Sequence, residues 1–395
     1  MRARFRQALL VCLRIFFRSL SRLVPKDPDL WVFRAWSDPS FYGNERAVWF
    51  AASSRPDLRL IVLVEGRAAS MSGCQLPGTM RLASLRGCWS LLRAGAVVLN
   101  SMGHFYHLGV NRRRQVVCNV WHGVPLKTLI FLERARPASL RRRFRGEGDS
   151  YSFTICSSPA DQKAMTACFQ VPAERMKVTG LPRNDWLLCP EAALPKEEAE
   201  TIARVRALAG GARVLLVAPT FRDWPAPHLD ILLDALVDMR QELEELNLYV
   251  VLRPHRFDQA KAQRIASKCD WLVLDPAACP YTQALLRASD LLLTDYSSIW
   301  VDYLLLDRPI VGFTPDLEEY GERRGFLYDY QAIFPGPLCT TPDQLRTALV
   351  ESARNPKFMS DRRKLALRLF HTYPDADSAH RVVKAIEREV KRTIR

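Results

Sequence analysis

Short runs rich in branched apolar residues alternate with helical stretches along most of this chain, and no other pattern limits the possible folds as strongly. The first set of runs covers residues 30–35, 58–64, 95–99, 115–120, 152–156 and 176–179. The second set covers residues 213–218, 248–253, 271–274, 291–294 and 309–313. Strands that alternate with helices predict parallel, doubly wound sheets. We therefore predict an α/β protein of two Rossmann-like domains facing a cleft, joined near residues 205–212, where Gly210-Gly211 interrupts the pattern.

The length of 395 residues suits two domains, and 48% apolar with 25% charged residues is typical of globular chains. The predicted boundaries are an amphipathic helix over 1–24, an N-terminal domain over 29–205, a C-terminal domain over 212–372 and a terminal helix over 373–395. A formal charge of +15 favours an anionic partner, without choosing between nucleic acid, a membrane surface and a phosphorylated substrate. Ten cysteines without a C-x-x-C pair predict reduced thiols rather than a zinc knuckle or redox motif.

The first 24 residues predict an amphipathic helix. At helical spacing, one side carries Arg4, Arg14, Arg18 and Arg22, and the other carries Phe5, Leu9, Leu13, Phe16 and Leu20. Arginines interrupt the apolar stretch, so it is too short to span a bilayer, and no small-residue cleavage site follows it. We expect this helix to lie on an anionic membrane surface, with packing on the chain's own surface as the alternative.

Polar residues gather directly after the apolar run that ends at Leu293. Thr294, Asp295, Ser297 and Ser298 suit a turn followed by a helix N-cap. In parallel α/β sheets, ligands bind beyond the carboxyl ends of the strands, where helix N-termini offer N–H groups to anions. We predict a phosphate site in this loop, with an ordinary capped loop as the alternative.

Cationic residues follow two other predicted strands of the second domain. Arg222 comes after the run 213–218, and Arg253, His255 and Arg256 come after the run 248–252. Arginine forks suit phosphate oxygens, and a cationic histidine can balance the charge that builds on a departing phosphate. We predict that these groups surround one anion, with ordinary surface charge as the alternative for each arginine.

A histidine follows the fourth predicted strand of the first domain. His122 precedes Gly123 and Pro125, which suit a turn into a helix. Because the ordinary pKa of histidine is roughly 6.5, this side chain can take a proton from an attacking hydroxyl at neutral pH. The competing interpretation is a structural histidine.

Near the end of the chain, Asp377 and Ser378 predict the N-cap of a terminal helix over 379–394.

Eight short motifs together resemble the CDP-glycerol/CDP-ribitol polyol-phosphate transferases of the teichoic-acid type. In chain order they are W-H-G-V-P-L-K (121–127), G-L-P-R-N-D (180–185), A-P-T-F-R (218–222), R-P-H (253–255), L-T-D-Y-S-S-I-W-V-D-Y (293–303), R-P-I-V-G-F (308–313), D-L-E-E-Y (316–320) and R-G-F (324–326). The resemblance runs from about residue 115 to 381. It implies a GT-B-like fold with an N-terminal acceptor domain and a C-terminal CDP-donor domain.

The resemblance also implies a reaction and a set of site residues. A polyol phosphate, with glycerol phosphate as our first choice, passes from a CDP-activated donor to a hydroxyl of a membrane-linked or cell-surface glycan or polymer, and CMP is released. The catalytic residues would be His122 and His255. Donor and phosphate contacts would come from Arg222, Thr294, Asp295, Ser297, Ser298 and Asp377. Supporting or acceptor-side residues would be Lys127, Arg183 and Asp302.

Two departures from the family pattern are Arg256, where a proline commonly follows the second histidine, and Ser378, where the family usually has glycine. We expect no metal and no cofactor, a peripheral position on the cytoplasmic face of the cell membrane, and addition of one unit rather than many. The run Arg141–Arg145 has no stacking aromatic besides Phe144, which disfavours nucleic acid as the partner. The alternatives are a GT-B glycosyltransferase that uses a nucleotide sugar and a non-catalytic membrane scaffold.

Overall fold

The computed structural model describes residues 15–17, 19–34, 41–64, 78–102, 110–133 and 137–394. These residues form two compact units. The first unit contains the described residues up to His122, then Leu129–Asp185 and the chain from Asp377 onward. The second unit contains Gly123–Thr128 and Trp186–Ala376.

Both units consist of a parallel sheet with helices between successive strands. The strands of the first unit, within the described ranges, are Asp27–Arg34 (β1), Arg59–Val64 (β2), Thr79–Arg81 (β3), Ala94–Leu99 (β4), Val116–Asn119 (β5), Phe153–Cys156 (β6) and Met176–Val178 (β7). Those of the second unit are Arg213–Ala218 (β8), Leu248–Leu252 (β9), Leu272–Val273 (β10), Leu291–Thr294 (β11), Ile310–Phe313 (β12) and Leu338–Cys339 (β13).

The helices of the first unit are Asn44–Ser53 (α1), Leu85–Arg93 (α2), Ala138–Gly148 (α3), Pro159–Phe169 (α4) and, after the second unit, Ser378–Thr393 (α16). A short helix, Asp185–Leu188 (α5), lies where the chain passes from one unit to the other. The helices of the second unit are Lys196–Ala209 (α6), His228–Asp238 (α7), Arg240–Glu245 (α8), Gln259–Ala266 (α9), Thr282–Ala288 (α10), Ile299–Tyr303 (α11), Leu317–Arg324 (α12), Tyr330–Ile333 (α13), Pro342–Arg354 (α14) and Ser360–Phe370 (α15). Single 3-10 turns occur at Ala173–Arg175, Pro182–Asn184, Glu191–Ala193 and Leu304–Leu306.

The two sheets have corresponding strand orders. The first runs β3-β2-β1-β4-β5-β6-β7 and the second runs β10-β9-β8-β11-β12-β13, with every registered strand pair parallel. In each sheet the strand numbers fall toward the unit's first strand and then rise on its other side. This reversal lies between β1 and β4 in one sheet and between β8 and β11 in the other. Such a reversal point opens a crevice at the carboxyl ends of the strands, where open α/β sheets bind ligands. The predicted α/β fold with parallel sheets is confirmed.

Burial explains why the strands read as continuous apolar runs. Every residue of β4, β5, β6, β11 and β12 is buried. Helices cover both faces of such a sheet, so neither face needs polar side chains. The core of the second unit illustrates this, because Leu215 and Leu293 of the sheet pack with Leu233 of α7 and Leu349 of α14.

The chain leaves the first unit earlier than the predicted junction near 205–212. Helix α6 packs against α10 of the second unit, and the backbone N–H of Ala284 donates to the Glu198 carboxylate at 3.1 Å. These contacts place Lys196–Ala209 with the second sheet. The structure also returns the terminal helix α16 to the first unit, where it packs on α1.

Only the last turns of the predicted amphipathic helix can be compared with the structure, since residues 1–14 and Arg18 lie outside the described residues. Residues 15–17 and 19–23 are helical. Ser21 and Val24 are buried, whereas Ile15, Phe16 and Leu23 are 61%, 60% and 81% exposed. Among the described residues, no helix has the length and apolarity needed to cross a membrane.

Candidate active site

His122 lies just beyond the carboxyl end of β5, and its side chain is exposed. The ring atom Nδ1 is 2.9 Å from the backbone carbonyl oxygen of Asn100, which directly follows β4. A carbonyl oxygen only accepts hydrogen bonds, so this contact assigns the proton of the neutral ring to Nδ1. The remaining ring nitrogen, Nε2, is then the basic atom, as a general base requires.

Side-chain amides fix the backbone that carries His122. The Asn119 carboxamide oxygen accepts from the backbone N–H of Trp121 at 2.9 Å. The Nδ2 atom of Asn44, a buried residue at the start of α1, donates to the carbonyl oxygens of Val120 at 2.8 Å and Trp121 at 3.1 Å. Two side chains from distant parts of the sequence therefore set the path of this loop.

Arg183 joins the same arrangement. Its backbone N–H donates to the Asn44 side-chain oxygen at 3.1 Å, and its guanidinium Nη1 donates to the carbonyl oxygen of His122 at 2.6 Å. The Trp121 ring stacks on the imidazole with centroids 4.0 Å apart. Trp121 has φ of 44°, a left-handed backbone that a bulky residue adopts only when its surroundings enforce it. The structure thus brings the predicted residues His122 and Arg183 together.

A buried acid lies behind this loop. The Asn100 side-chain amide donates to the carboxyl group of Glu45, which is almost fully buried. Burial raises the pKa of Glu45 well above its usual range, although Asn100, Arg183 and Arg34 act in the opposite direction. Our sequence prediction missed Asn44, Glu45, Asn100 and Asn119. Asn100 and Asn119 had a detectable signal, because each is a polar residue at the end of an apolar run.

In the second unit, Thr294 and Asp295 connect β11 to β8 at the reversal point. The Thr294 hydroxyl donates to the carbonyl oxygen of Ala218 at 2.7 Å, and the Asp295 carboxylate accepts from the N–H of Thr220 at 2.8 Å. Both predicted residues are buried. Their side chains therefore shape the loop instead of facing its surface.

Ser297 and Ser298 are half-buried and precede α11. The Ser297 hydroxyl accepts from the N–H of Ile299 at a long 3.4 Å, and Ser298 occupies the N-cap position without a side-chain capping bond. These two hydroxyls are the part of the predicted phosphate loop that lies nearest its surface.

Arg222 is 4% exposed and is surrounded by carboxylates and aromatic rings. Its guanidinium lies 3.0 Å from Asp295 and 2.7 Å from Asp316, and its carbon atom Cζ is 4.8 Å from the ring centroids of both Tyr296 and Tyr320. Burial alone would lower the pKa of this guanidinium, but the two carboxylates outweigh burial and raise it. In this state Arg222 holds the loops together from inside, and its predicted direct contact with phosphate stays a prediction.

His255 stacks between two rings beyond the end of β9. Its centroid is 4.8 Å from Phe221 and 5.1 Å from Phe257. Burial lowers its pKa, Arg256 and Lys127 lower it further, and Asp258 opposes them. At neutral pH the imidazole is therefore uncharged in this state, and its predicted cationic role beside a departing phosphate stays a prediction. A neutral imidazole still offers one N–H to an anion.

Two further predicted residues, Lys127 and Asp302, lie in the second unit. Lys127 belongs to the second unit, where it pairs with Phe326, and burial together with Arg324 lowers its pKa. Its predicted role as an acceptor-side or supporting residue stays a prediction. Asp302 is buried, and its carboxylate accepts from the Gln283 amide at 3.2 Å.

Asp377 belongs to the first unit, and its predicted contact with the donor stays a prediction. Its side chain makes no capping bond to α16 and lies 3.1 Å from His380. The helix is capped by Asp185, whose two oxygens accept from the N–H groups of Ser378 and Ala379. Within the described residues, no group of three or more His, Cys, Asp or Glu side chains is arranged to hold a metal ion.

Comparison with known proteins places this arrangement in a family. The model of the CDP-glycerol:poly(glycerophosphate) glycerophosphotransferase family matches residues 15–388. The teichoic acid poly(glycerol phosphate) polymerase of Bacillus spizizenii is 26% identical over 88% of this chain and 89% of its own length. The teichoic acid glycerol-phosphate transferase of Staphylococcus aureus is 24% identical over 94% of this chain and 95% of its own.

A solved structure of the wall teichoic acid polymerase TagF has the same fold. It superimposes with a TM-score of 0.79 at 22% identity and covers 98% of both chains. The sequence match extends over nearly the whole chain and includes the loops that carry His122, His255 and Ser297. The chain therefore belongs to the CDP-glycerol:poly(glycerophosphate) glycerophosphotransferase family.

Proposed function

We propose that this enzyme transfers a polyol phosphate from a CDP-activated donor to a hydroxyl of a glycan or polymer acceptor and releases CMP, with His122 as the general base. The family match over residues 15–388 supports the reaction class. The single observation that carries the proposed role of His122 is its Nδ1 contact with the Asn100 carbonyl oxygen, which leaves Nε2 as the basic ring atom.

In the proposed reaction, an acceptor hydroxyl oxygen attacks the polyol-bearing phosphorus of the donor. A new O–P bond forms, the P–O bond to the CMP phosphate breaks, and CMP leaves with that electron pair. Nε2 of His122 takes the proton of the attacking hydroxyl. Phosphoryl transfer of this kind depends on positioning and charge stabilisation rather than on a covalent enzyme intermediate.

The donor is proposed to bind to the second unit. Ser297 and Ser298 would donate to the pyrophosphate through their hydroxyls, and His255 would donate through its ring N–H. Arg222 and Asp295 position this loop from within, since their side chains form a 3.0 Å ion pair. Together the two serine hydroxyls are expected to contribute about 1–3 kcal/mol to donor binding.

The first unit is then the acceptor half and the second the donor half of a GT-B-like enzyme. The second half has the 3-2-1-4-5-6 strand order of nucleotide-binding Rossmann domains, and the first half has the same order with a seventh strand added at the end. We assign glycerol phosphate as the transferred group, because both relatives compared above carry glycerol phosphate in their names.

We also propose that the N-terminal helix binds an anionic membrane surface. Exposed Ile15, Phe16 and Leu23 supply apolar contacts, while the formal charge of +15 favours anionic lipid. The double change Phe16→Glu with Leu23→Glu should release the protein from anionic vesicles in a sedimentation assay. Leu365→Glu, at another exposed leucine, is the matched control. Equal sedimentation of both variants would contradict the assignment.

The reaction class is tested with a donor panel. Purified protein would receive a polyol-phosphate acceptor with CDP-glycerol, CDP-ribitol or nucleotide sugars, and nucleotide release would be followed. We expect release from a CDP-polyol only.

The role of His122 is tested by His122→Ala, which should lower turnover by about 10² to 10⁴ with little change in donor affinity. His380→Ala, at another exposed histidine of the same unit, is the control. If both variants turned over at nearly the wild-type rate, the assignment of His122 as general base would be refuted.

A further inference from the structure

A cavity of about 510 Å³ opens within the second unit at the carboxyl ends of β12 and β13. Its wall comes from the first turns of α7 and α12, from residues that follow the two strands, and from Gln331 of α13. This volume lies in the range of small-molecule sites, and the position is the edge of an α/β sheet where ligands bind.

Two polar side chains in the cavity wall have no hydrogen-bond partner. Thr314 is 0% exposed and its hydroxyl is unsatisfied. His228 is 8% exposed and both of its ring nitrogens are unsatisfied. Each unsatisfied buried polar atom costs about 1–3 kcal/mol, so three of them around one cavity indicate a ligand that satisfies them.

The charge of the wall excludes a phosphate ligand. Asp316, Glu318 and Glu319 line the cavity, and no lysine or arginine is among its lining residues. An anion would meet three carboxylates at this place. The cavity is thus distinct in chemistry from a phosphate site, even though the whole chain carries +15.

The unsatisfied groups also distinguish a hydroxyl ligand from an ammonium. Burial lowers the pKa of His228, and Arg222 acts in the same direction. A neutral imidazole presents one donor and one acceptor, and the Thr314 hydroxyl is also both. An ammonium can satisfy only acceptors, whereas hydroxyl groups donate to carboxylates and also accept from imidazole and threonine. Ile231 and Leu317 provide apolar wall for the C–H groups between such hydroxyls.

The cavity is connected to the phosphate loop by the carboxylate of Asp316. This carboxylate accepts from Arg222 at 2.7 and 3.1 Å and from the Tyr296 hydroxyl at 3.0 Å. Arg222 in turn pairs with Asp295, two residues before Ser297. A substrate bound at Ser297 and a group bound in the cavity therefore contact one continuous network.

We propose that this cavity binds the uncharged, hydroxyl-bearing part of a polyol substrate through Thr314, His228 and the acidic first turn of α12. The inference rests on the proposed function and deepens it, because it assigns the residues that recognise the polyol. Two substrates carry this chemistry, namely the donor with its single polyol and the acceptor with its polyol chain.

The test removes one hydroxyl without changing the shape of the side chain. Thr314→Val deletes the unsatisfied hydroxyl, and Glu318→Gln removes one charge of the wall at an exposed position. Thr154→Val is the matched control, because Thr154 is a buried threonine of the first unit whose hydroxyl is also unsatisfied. Calorimetric titration would use CDP-glycerol, CDP-ribitol and CDP, and steady-state kinetics would give the KM of a polyol-phosphate acceptor.

If the cavity holds the donor polyol, Thr314→Val should weaken CDP-glycerol or CDP-ribitol binding about tenfold and leave CDP binding unchanged, one hydrogen bond being worth about this factor. If it holds the acceptor, the same variant should raise the acceptor KM about tenfold and leave both donor constants unchanged. Either result supports the proposal, provided that Thr154→Val changes neither the donor dissociation constants nor the acceptor KM. Constants within twofold of wild type for both Thr314→Val and Glu318→Gln would overturn it.

Saturation-transfer NMR with free glycerol and free ribitol measures polyol binding to wild type and variants without any turnover. It therefore tests the cavity independently of the proposed reaction. We expect a polyol signal that Thr314→Val abolishes and Thr154→Val retains. A protein that turns over no CDP-polyol but shows this pattern would refute the proposed function and not the cavity. The opposite result is a protein that turns over CDP-polyol while Thr314→Val keeps the polyol NMR signal, the donor dissociation constants and the acceptor KM of wild type. That result would refute polyol binding in the cavity and leave the proposed function intact.

Discussion

The carboxylate of Asp185 caps the helix that begins at Ser378, 193 residues further along the chain. Its two oxygens accept from the backbone N–H groups of Ser378 at 2.9 Å and of Ala379 at 2.8 Å. Gly180 explains why the two segments meet closely, because a Cβ built there would lie 2.3 Å from the Ser378 hydroxyl. The motif G-L-P-R-N-D thus fastens the last helix to the first sheet while Arg183 supports the His122 loop.

Asp185→Asn should lower the free energy of unfolding by about 1–3 kcal/mol, because the amide replaces one charged acceptor with a donor that faces two N–H groups. Asp377→Asn is the control, since Asp377 occupies the N-cap position but its side chain makes no capping bond. Urea denaturation of both variants measures the difference. A larger loss for Asp377→Asn than for Asp185→Asn would contradict the assignment of the cap.

Arg222→Met should destabilise the protein by about 3–5 kcal/mol, because it leaves the buried Asp295 and the half-buried Asp316 without their cation. Arg256→Met changes an exposed arginine of the same unit and should cost at most about 0.5 kcal/mol. Thermal or urea unfolding gives both values. If Arg222 were instead an ordinary phosphate ligand, its variant would unfold like wild type and lose only donor affinity.

The phosphate loop is tested by the double change Ser297→Ala with Ser298→Ala. Loss of two hydroxyls that donate to the pyrophosphate should weaken CDP-glycerol binding by about 1–3 kcal/mol. Acceptor binding and the melting temperature should hardly change, since neither hydroxyl makes a strong capping bond. Ser267→Ala, at an exposed helix end, controls for the loss of a serine. A lower melting temperature with unaltered donor affinity would show that the two serines stabilise the fold and do not bind the donor phosphates.

Donor binding should become tighter as the pH falls below neutral. Burial lowers the pKa of His255 in the unliganded protein, and the pyrophosphate of a bound donor would raise it by stabilising the imidazolium. Affinity then increases as the pH falls through the pKa of the bound state, by about tenfold for each unit that binding raises the pKa. His255→Gln keeps an N–H donor without titrating and should abolish this dependence. A pH profile of the dissociation constant that is the same in both proteins would exclude His255 from the donor site.

Sequence periodicity was sufficient to predict most of the strands, including the short edge strands Met176–Val178 and Leu272–Val273. Thr79–Arg81 and Leu338–Cys339 were missed, because neither segment lies in a readable apolar run. The loops that follow β5, β8, β9 and β11 were predicted from their polar residues, since the carboxyl ends of parallel strands share one edge.

Roles that depend on distant partners could not be predicted. Arg222 reads as a surface cation until Asp316, 94 residues later, is found beside it. Asp377 reads as a helix cap until Asp185 is found in that role. Glu45 and Asn44 gave no signal, because their importance lies in contacts with Asn100 and with the loop before His122. Pairing across a fold is set by tertiary packing, which local patterns do not contain.

The measurement that bears most directly on the proposed reaction is the identity of the released nucleotide. Wild-type protein would be incubated with CDP-glycerol and a glycerol-phosphate acceptor, and the products would be followed by phosphorus NMR. Attack at the polyol-bearing phosphorus predicts CMP together with a new phosphodiester in the acceptor, in equal amounts. Release of CDP would mean that the polyol had been separated from its phosphate, and it would contradict polyol-phosphate transfer.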